Sequence, residues 1–168
     1  MTNGTAVEGV VAFLGVGSNM NGAVEPCREA VRRVEETPGI RLLRTSSWYR
    51  TEPVGRRNQD WFVNAVVEIR TVHSARALLT ELRAIEAAMG RTNVEKWGPR
   101  IIDLDILLYG DDIVQEDDLI IPHPELHRRR FVLVPLCELA SYMIHPAFGV
   151  SMQGLLSRLE DQSTVERL

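Results

Sequence analysis

An α+β fold, with an antiparallel sheet backed by two helices, is what three features of the sequence predict. Strand-like apolar patterning recurs in four stretches, at residues 10–16, 40–49, 62–70 and 101–108. Helical spacing appears in two stretches between them. The resulting order (strand, helix, strand, strand, helix, strand) is that of a ferredoxin-like split βαβ sheet, βαββαβ, to which the remaining chain adds C-terminal strands and helices.

Each element has its own local reason. Residues 10–16 form a β-branched, apolar run closed by Gly17-Ser18-Asn19, a buried strand and its turn. Val24, Cys27, Val31 and Val34 recur among Glu and Arg, so an amphipathic helix follows and stops near Pro38-Gly39. Residues 40–49 read as one strand, and a polar loop occupies 52–60. The next stretch alternates: Val63, Ala65, Val67 and Ile69 share one side, Phe62, Asn64, Val66 and Glu68 the other. Ser74 is placed to cap a second helix carrying Leu78, Leu82, Ile85 and Met89, and Gly90 to end it. After the loop 91–100, Ile102, Leu104, Ile106 and Leu108 are expected on one side of a strand, with Asp103 and Asp105 on the other. Beyond Gly110 come an acidic turn, a short apolar 119–121, a helix expected after Pro135, and another from Ser151 with Met152, Leu155, Leu156 and Leu159 in phase.

The two central helices must cover the side bearing Val63, Val67, Ile102, Leu104 and Ile106. The opposite side, expected to be uncovered, gathers Phe62, Asn64, Asp103 and Asp105, which suggests a ligand site.

The chain has 168 residues, 45% hydrophobic and 25% charged, enough for a single domain spanning 1–168 with no need of disulfides or structural metal. Residues 1–8 are small and polar and are expected to be frayed. The net charge of −4 speaks against non-specific nucleic-acid binding. The apolar run at 10–16 is too short to span a membrane and lacks a basic leader, so a cytoplasmic location is expected. Cys27 and Cys137 sit in apolar-periodic stretches and read as core residues of a reducing compartment.

Asp103-Leu104-Asp105 is the strongest chemical feature. At i and i+2 on a strand the two carboxylates share a face, about 7 Å apart along the backbone. Such a pair suits magnesium, which is often shared with substrate phosphates; alone, it also fits a solvated polar face. Arg91, Lys96 and Arg100 surround Trp97 immediately upstream. Guanidinium groups bind phosphate bidentately, and an exposed Trp can cover a ligand. His123, between Pro122 and Pro124, is equally a phosphate donor or a surface histidine. No spaced ligand set for zinc occurs. Arg128, Arg129 and Arg130 form a basic cluster before Phe131. A dinucleotide fingerprint fails at Met20, a P-loop is missing, and Leu108 stands where an EF-hand loop needs Gly.

Four stretches carry a family pattern: Phe-Leu-Gly-Val-Gly-Ser-Asn at 13–19, Trp-Tyr-Arg-Thr-Glu-Pro at 48–53, Asn-Ala-Val at 64–66 and, most specifically, Trp-Gly-Pro-Arg-Ile-Ile-Asp-Leu-Asp-Ile-Leu at 97–107 followed by Pro122-His123. In these the chain resembles the 6-hydroxymethyl-7,8-dihydropterin pyrophosphokinase family. The resemblance implies ATP and two magnesium ions, with AMP and a pterin pyrophosphate as products of a folate-pathway reaction. Asp103 and Asp105 match the metal ligands and, with Arg91 and Arg100, the catalytic set. Thr51, Pro53, Val54, Phe62, Asn64, Trp97 and Phe131 match the pterin positions, the aromatics sandwiching the ring and the amide reading its edge. Glu86, Arg91, Arg100, Ile106, His123 and Arg129 match the nucleotide positions. Trp97 corresponds to the aromatic of a loop that seals the site. Arg83 stands where better-known members carry Gln, Pro124 where some carry Tyr, and Asn93 and Val94 where some carry basic residues. No dedicated general base stands out, and a monomer is expected. Two rival classes share some features. A nucleotidyltransferase pairs a Gly-Ser turn with Asp-x-Asp, but close in sequence; a non-catalytic binding module would not need both carboxylates beside Arg91 and Arg100.

Overall fold

The computed structural model describes residues 9–19, 23–55, 58–90 and 101–168. The expectations for residues 1–8 and for Arg91, Lys96, Trp97 and Arg100 fall outside these residues. Among the described residues eight strands and four α-helices follow in the order β1 (Val10–Ser18), α1 (Val24–Glu36), β2 (Ile40–Thr45), β3 (Tyr49–Thr51), β4 (Phe62–Thr71), α2 (Ala75–Ala88), β5 (Asp103–Tyr109), β6 (Val114–Glu116), β7 (Leu119–Ile121), α3 (Arg130–Ala140), α4 (Met152–Ser157) and β8 (Val165–Arg167).

β1 lies between β5 and β4, and β4 pairs in turn with β2 and β3, all antiparallel; β8 extends the sheet beyond β3. β6 and β7 form a separate hairpin. The chain is therefore a mixed α/β structure with an antiparallel main sheet.

The single strand expected at 40–49 is two strands. β2 pairs with residues 67–71 of β4, and β3 with residues 62–64. Between them Ser46 takes over the ladder: its N–H donates to the Val66 carbonyl (2.9 Å) and its Oγ accepts from the Val66 N–H (2.9 Å). A side chain that satisfies a strand's backbone in this way ends regular pairing without leaving a buried group unpaired.

α1 and α2 cover one face. Leu14, Val34, Val67, Leu82, Leu104 and Ile106 meet there in a continuous apolar core. Ser74 caps α2, its side chain accepting from the Ala77 N–H, and Gly90 follows the helix at φ 86°, a left-handed conformation that glycine adopts at little cost.

The opposite face is not bare, contrary to the sequence expectation. α3 and α4 close part of it, packing Leu133, Leu136 and Met152 on Phe13, Val66, Leu107 and Leu108. Leu108 thus lies opposite to Ile106, not beside it. The reason is a register shift: Phe13 pairs with Leu108, but Leu14 pairs with Ile106. Leu107 is the extra residue of a β-bulge, so two successive leucines face α3 and Tyr109 turns back into the first core. α3 also begins earlier than Pro135 suggested, at Arg130, with the proline inside the helix. Pro135 withdraws one N–H, but burial of Val132, Leu133 and Leu136 outweighs that loss. The helix from Ser151 is present, its N-cap Oγ accepting from the Gly154 N–H. Among the described residues no helix is long and apolar enough to cross a membrane.

Candidate active site

Where α3 stops covering the second face, a cleft of about 330 Å³ opens. Its floor is set by strand register. Asp103 pairs with Gly17, which pairs on its other side with Asn64; Asp105 pairs with Gly15, which pairs with Val66. Leu104 is buried in the α1/α2 core, so alternation turns Asp103 and Asp105 into the cleft.

The two glycines keep the floor open between carboxylates and amide. A Cβ on Gly17 would come within 2.4 Å of Asn64 Oδ1, while one on Gly15 would touch Leu107 at 3.5 Å. Asn64 is fixed from the other side, its Nδ2 donating to Thr51 Oγ1 at 2.7 Å. Phe62 sits at the start of β4, opposite Thr51. Phe131, in the first turn of α3, also lines the cleft, with Arg129, whose guanidinium lies 5.5 Å from the Phe131 ring centre.

His123 is held by its backbone, its N–H donating to the Leu107 carbonyl at 3.0 Å. Its Nδ1 accepts from the Glu125 N–H at 3.1 Å. Burial, then the nearby Arg129 charge, push its pKa down to about 4. The ring is therefore neutral at pH 7, and with Nδ1 accepting, its proton sits on Nε2. That nitrogen lies 4.0 Å from Asp105 Oδ2, so an N–H donor stands beside the carboxylate pair.

Of the residues singled out in the sequence, Thr51, Val54, Phe62, Asn64, Asp103, Asp105, His123, Arg129 and Phe131 line this one cleft. Pro53 does not line it. Glu86 and Ile106 are set apart from it: Ile106 is packed in the α1/α2 core, and Glu86, 4% exposed, accepts the Leu104 N–H at 2.9 Å. Position 106 alternates away from Asp105, and the inner side of α2 looks into the sheet's covered face. Arg91, Trp97 and Arg100 lie outside the described residues.

Glu52, Val66, Leu107 and Val132 also line the cleft, and none was singled out from sequence for the site. Strand alternation already put Val66 on the side of Asn64, and carried along β5 it puts Leu107 on the side of Asp105. Among the described residues no cluster of three or more His, Cys, Asp or Glu forms a metal cage.

The profile of the family described as 7,8-dihydro-6-hydroxymethylpterin-pyrophosphokinase (HPPK) matches residues 13–141, which include every residue of the cleft lining. The chain belongs to this family. It is 43% identical over 137 residues to a 2-amino-4-hydroxy-6-hydroxymethyldihydropteridine pyrophosphokinase of Haemophilus influenzae, covering 82% of this chain and 86% of the relative. A protein of the same name from Methylorubrum extorquens is 41% identical over 157 residues, 94% of this chain and 98% of that one. Among solved structures, a Plasmodium falciparum HPPK-DHPS triple mutant superposes with a TM-score of 0.74 at 17% identity. This chain is covered to 92% in that comparison and spans 45% of the Plasmodium chain. That likeness carries the fold.

Proposed function

We propose that this cleft is the active site for transfer of a pyrophosphoryl group from ATP to the hydroxymethyl group of 6-hydroxymethyl-7,8-dihydropterin, in folate synthesis. Family membership and the names of the curated relatives carry the reaction: the chain is a pyrophosphokinase. The observation that ties the cleft to it is the row Asp103–Gly17–Asn64, which opens a carboxylate and a fixed amide, with Asp105 beside them, into a cleft that Phe62 and Phe131 also line.

The residues take their roles from chemistry and position. Phe62 and Phe131 face the two sides of the pterin ring, and the Asn64 amide reads its polar edge. Thr51 holds that amide in place, with Pro53, Val54 and Trp97 completing the pocket. The His123 Nε2–H and the Arg129 guanidinium donate to phosphate oxygens, joined by Arg91 and Arg100. Glu86 and Ile106 serve the nucleotide end indirectly, Glu86 by pinning the Leu104 N–H between the two aspartates.

Two carboxylates on one strand, next to space for phosphates, are the donor set that magnesium accepts. Asp103 and Asp105 would hold two Mg2+ ions, which supply charge neutralisation on the phosphates and a lowered hydroxyl pKa when bound. The protein's part is positioning. The aromatic slot and Asn64 aim the hydroxymethyl oxygen, and His123 with the arginines holds the triphosphate so that the β-phosphorus lies in line.

The strand order β5-β1-β4-β2 supports a ferredoxin-like split βαβ core, with β3 and β8 as additions. A single domain, a monomeric state, a cytoplasmic location and no nucleic-acid partner complete the reading, consistent with a net charge of −4.

Chromatography of spent nucleotide tests the reaction. Each turnover should release AMP in proportion to pterin pyrophosphate. Stoichiometric ADP without AMP would mean ordinary phosphoryl transfer.

A further inference from the structure

Residues 142–168 lie beyond the stretch matched by the family profile, yet they hold two walls of the cleft. One wall is the first turn of α3. A helix start leaves N–H groups unpaired, and Arg129 at the N-cap supplies no side-chain acceptor. The acceptor comes from far along the chain: Asp161 Oδ2 takes the Arg130 N–H at 2.9 Å. The other oxygen, Oδ1, takes the Ser163 N–H at 2.8 Å, which fixes the turn of the tail. Burial opposes ionisation of this carboxyl, but the Ser163 side chain, these backbone donors and the Arg130 charge together outweigh it and hold its pKa below the usual value.

The other wall is the end of β3. Thr164 N–H donates to Glu52 Oε1 at 2.6 Å, and the Glu52 N–H returns to the Thr164 carbonyl at 3.2 Å. β8 continues the clamp, Val165 pairing with Thr51 and Arg167 with Tyr49. Only two residues, three backbone steps, therefore separate the Asp161 anchor on α3 from the Thr164 anchor on β3. Such a tether spans at most about 10 Å. A flat ring held between two side-chain faces needs about 7–8 Å, two contacts of 3.5–4.0 Å. The tether is short enough to limit how far Phe131 can move from the β3–β4 side of the cleft.

We propose that the segment 161–165 is a strap that sets the width of the slot for the flat heterocyclic substrate, with Asp161 as a positioning residue acting through the first turn of α3. The proposal rests on the reading that this slot takes the pterin. It assigns specificity for the ring to a part of the chain that touches neither substrate.

The experiment uses the full chain with Asp161→Ala, Asp161→Asn and Phe131→Ala. Pterin and ATP KM values, kcat, pterin Kd by fluorescence with an ATP analogue and magnesium, and Tm are measured for each. Asp161→Ala should raise pterin KM and Kd about tenfold and leave ATP KM within twofold. Asp161→Asn keeps an acceptor for the Arg130 N–H and should stay within threefold of the parent. A lowered Tm with pterin KM within twofold of the parent overturns the strap, as does an equal rise in both KM values. Should Asp161→Ala fail to fold, Thr164→Pro removes the N–H to Glu52 from the second anchor. It should give the same pterin-selective rise, and an unchanged pterin KM overturns the proposal. Phe131→Ala separates the two layers: if it leaves pterin affinity intact, the slot reading itself falls and the strap with it. If it weakens pterin while Asp161→Ala does not, only the strap falls.

Discussion

The two faces of one sheet are used in opposite ways. On the α1/α2 face Leu14, Val67, Leu104 and Ile106 are all buried among apolar neighbours. On the other face the same strands present Asn64, Asp103 and Asp105 to an open cleft, while Phe13, Val66, Leu107 and Leu108 pack in the cluster with α3 and α4. A strand's two-residue period lets neighbours one position apart serve stability and chemistry separately. Two like charges close together repel, and on β5 they alternate with Leu104 and Ile106 of the buried core.

The sharpest way to break this comparison is to disarm the open face alone. Asp103→Asn and Asp105→Asn should each lower turnover at saturating magnesium by about 10³-fold, the size that losing a charge-stabilising group can reach. The melting temperature of the ligand-free protein should stay level or rise slightly, because a like-charge repulsion is relieved. Turnover within a few-fold of the parent for both variants would leave the carboxylates without their role.

The reciprocal experiment empties the covered face. Leu82 is fully buried, and Leu82→Ala should cost about 3 kcal/mol in a urea melt through lost transfer energy and a residual cavity. At temperatures where the variant remains folded, pterin and ATP KM should match the parent. A selective change in either would show that the faces are coupled.

A smaller effect sharpens the contrast within the second face. His145 is buried, stacked on Phe148 at 4.1 Å. Its Nδ1 accepts the N–H groups of Ala147 and Phe148, each at 3.2 Å. Burial and then His127 lower its pKa below the ordinary 6.5. Below pH 6.5 the unfolded chain binds this proton more readily than the folded one, so stability falls as pH falls and levels off above that value. His145→Gln should remove this pH dependence from urea midpoints measured between pH 7.5 and 5.

The smallest expected effect is none at all. Burial pushes the Cys27 thiol up to about 12 and Cys137 to about 11, so neither forms appreciable thiolate at neutral pH. Iodoacetamide at pH 7.5 should label neither in the native protein, whereas rapid labelling of Cys27 would contradict a dry α1 face.

What could be read from sequence was what short-range pattern encodes. The alternation of 62–70 placed Asn64 opposite Val63 and Val67, and Asp-x-Asp placed two carboxylates together. What escaped was set by partners far away in the chain. The break in 40–49 depends on Ser46 answering Val66, and nothing in its own neighbourhood, neither Gly nor Pro, announces it. Leu108 changed sides because β5 bulges against β1, a property of the pair. α3 starts ahead of Pro135 because its burial overrides a local breaker. β8 is three residues long and has no pattern of its own; only β3 makes it a strand. Glu86 looked like a substrate-bordering residue, and its hydrogen bond to the Leu104 backbone is a tertiary fact that no spacing reveals.

The pairing of β8 with β3 also bears on how the enzyme comes to life. Glu52 and Thr164 are 112 positions apart, whereas β4 and α2 are neighbours in sequence. Closing so long a loop costs entropy before any contact repays it, so the β2–β4 ladder, whose Thr45 and Val67 pair across a far shorter loop, can assemble while this edge is still open. Refolding should then separate in time: far-UV ellipticity recovers first, and the capacity to hold the heterocycle returns later, when the most distant segments meet.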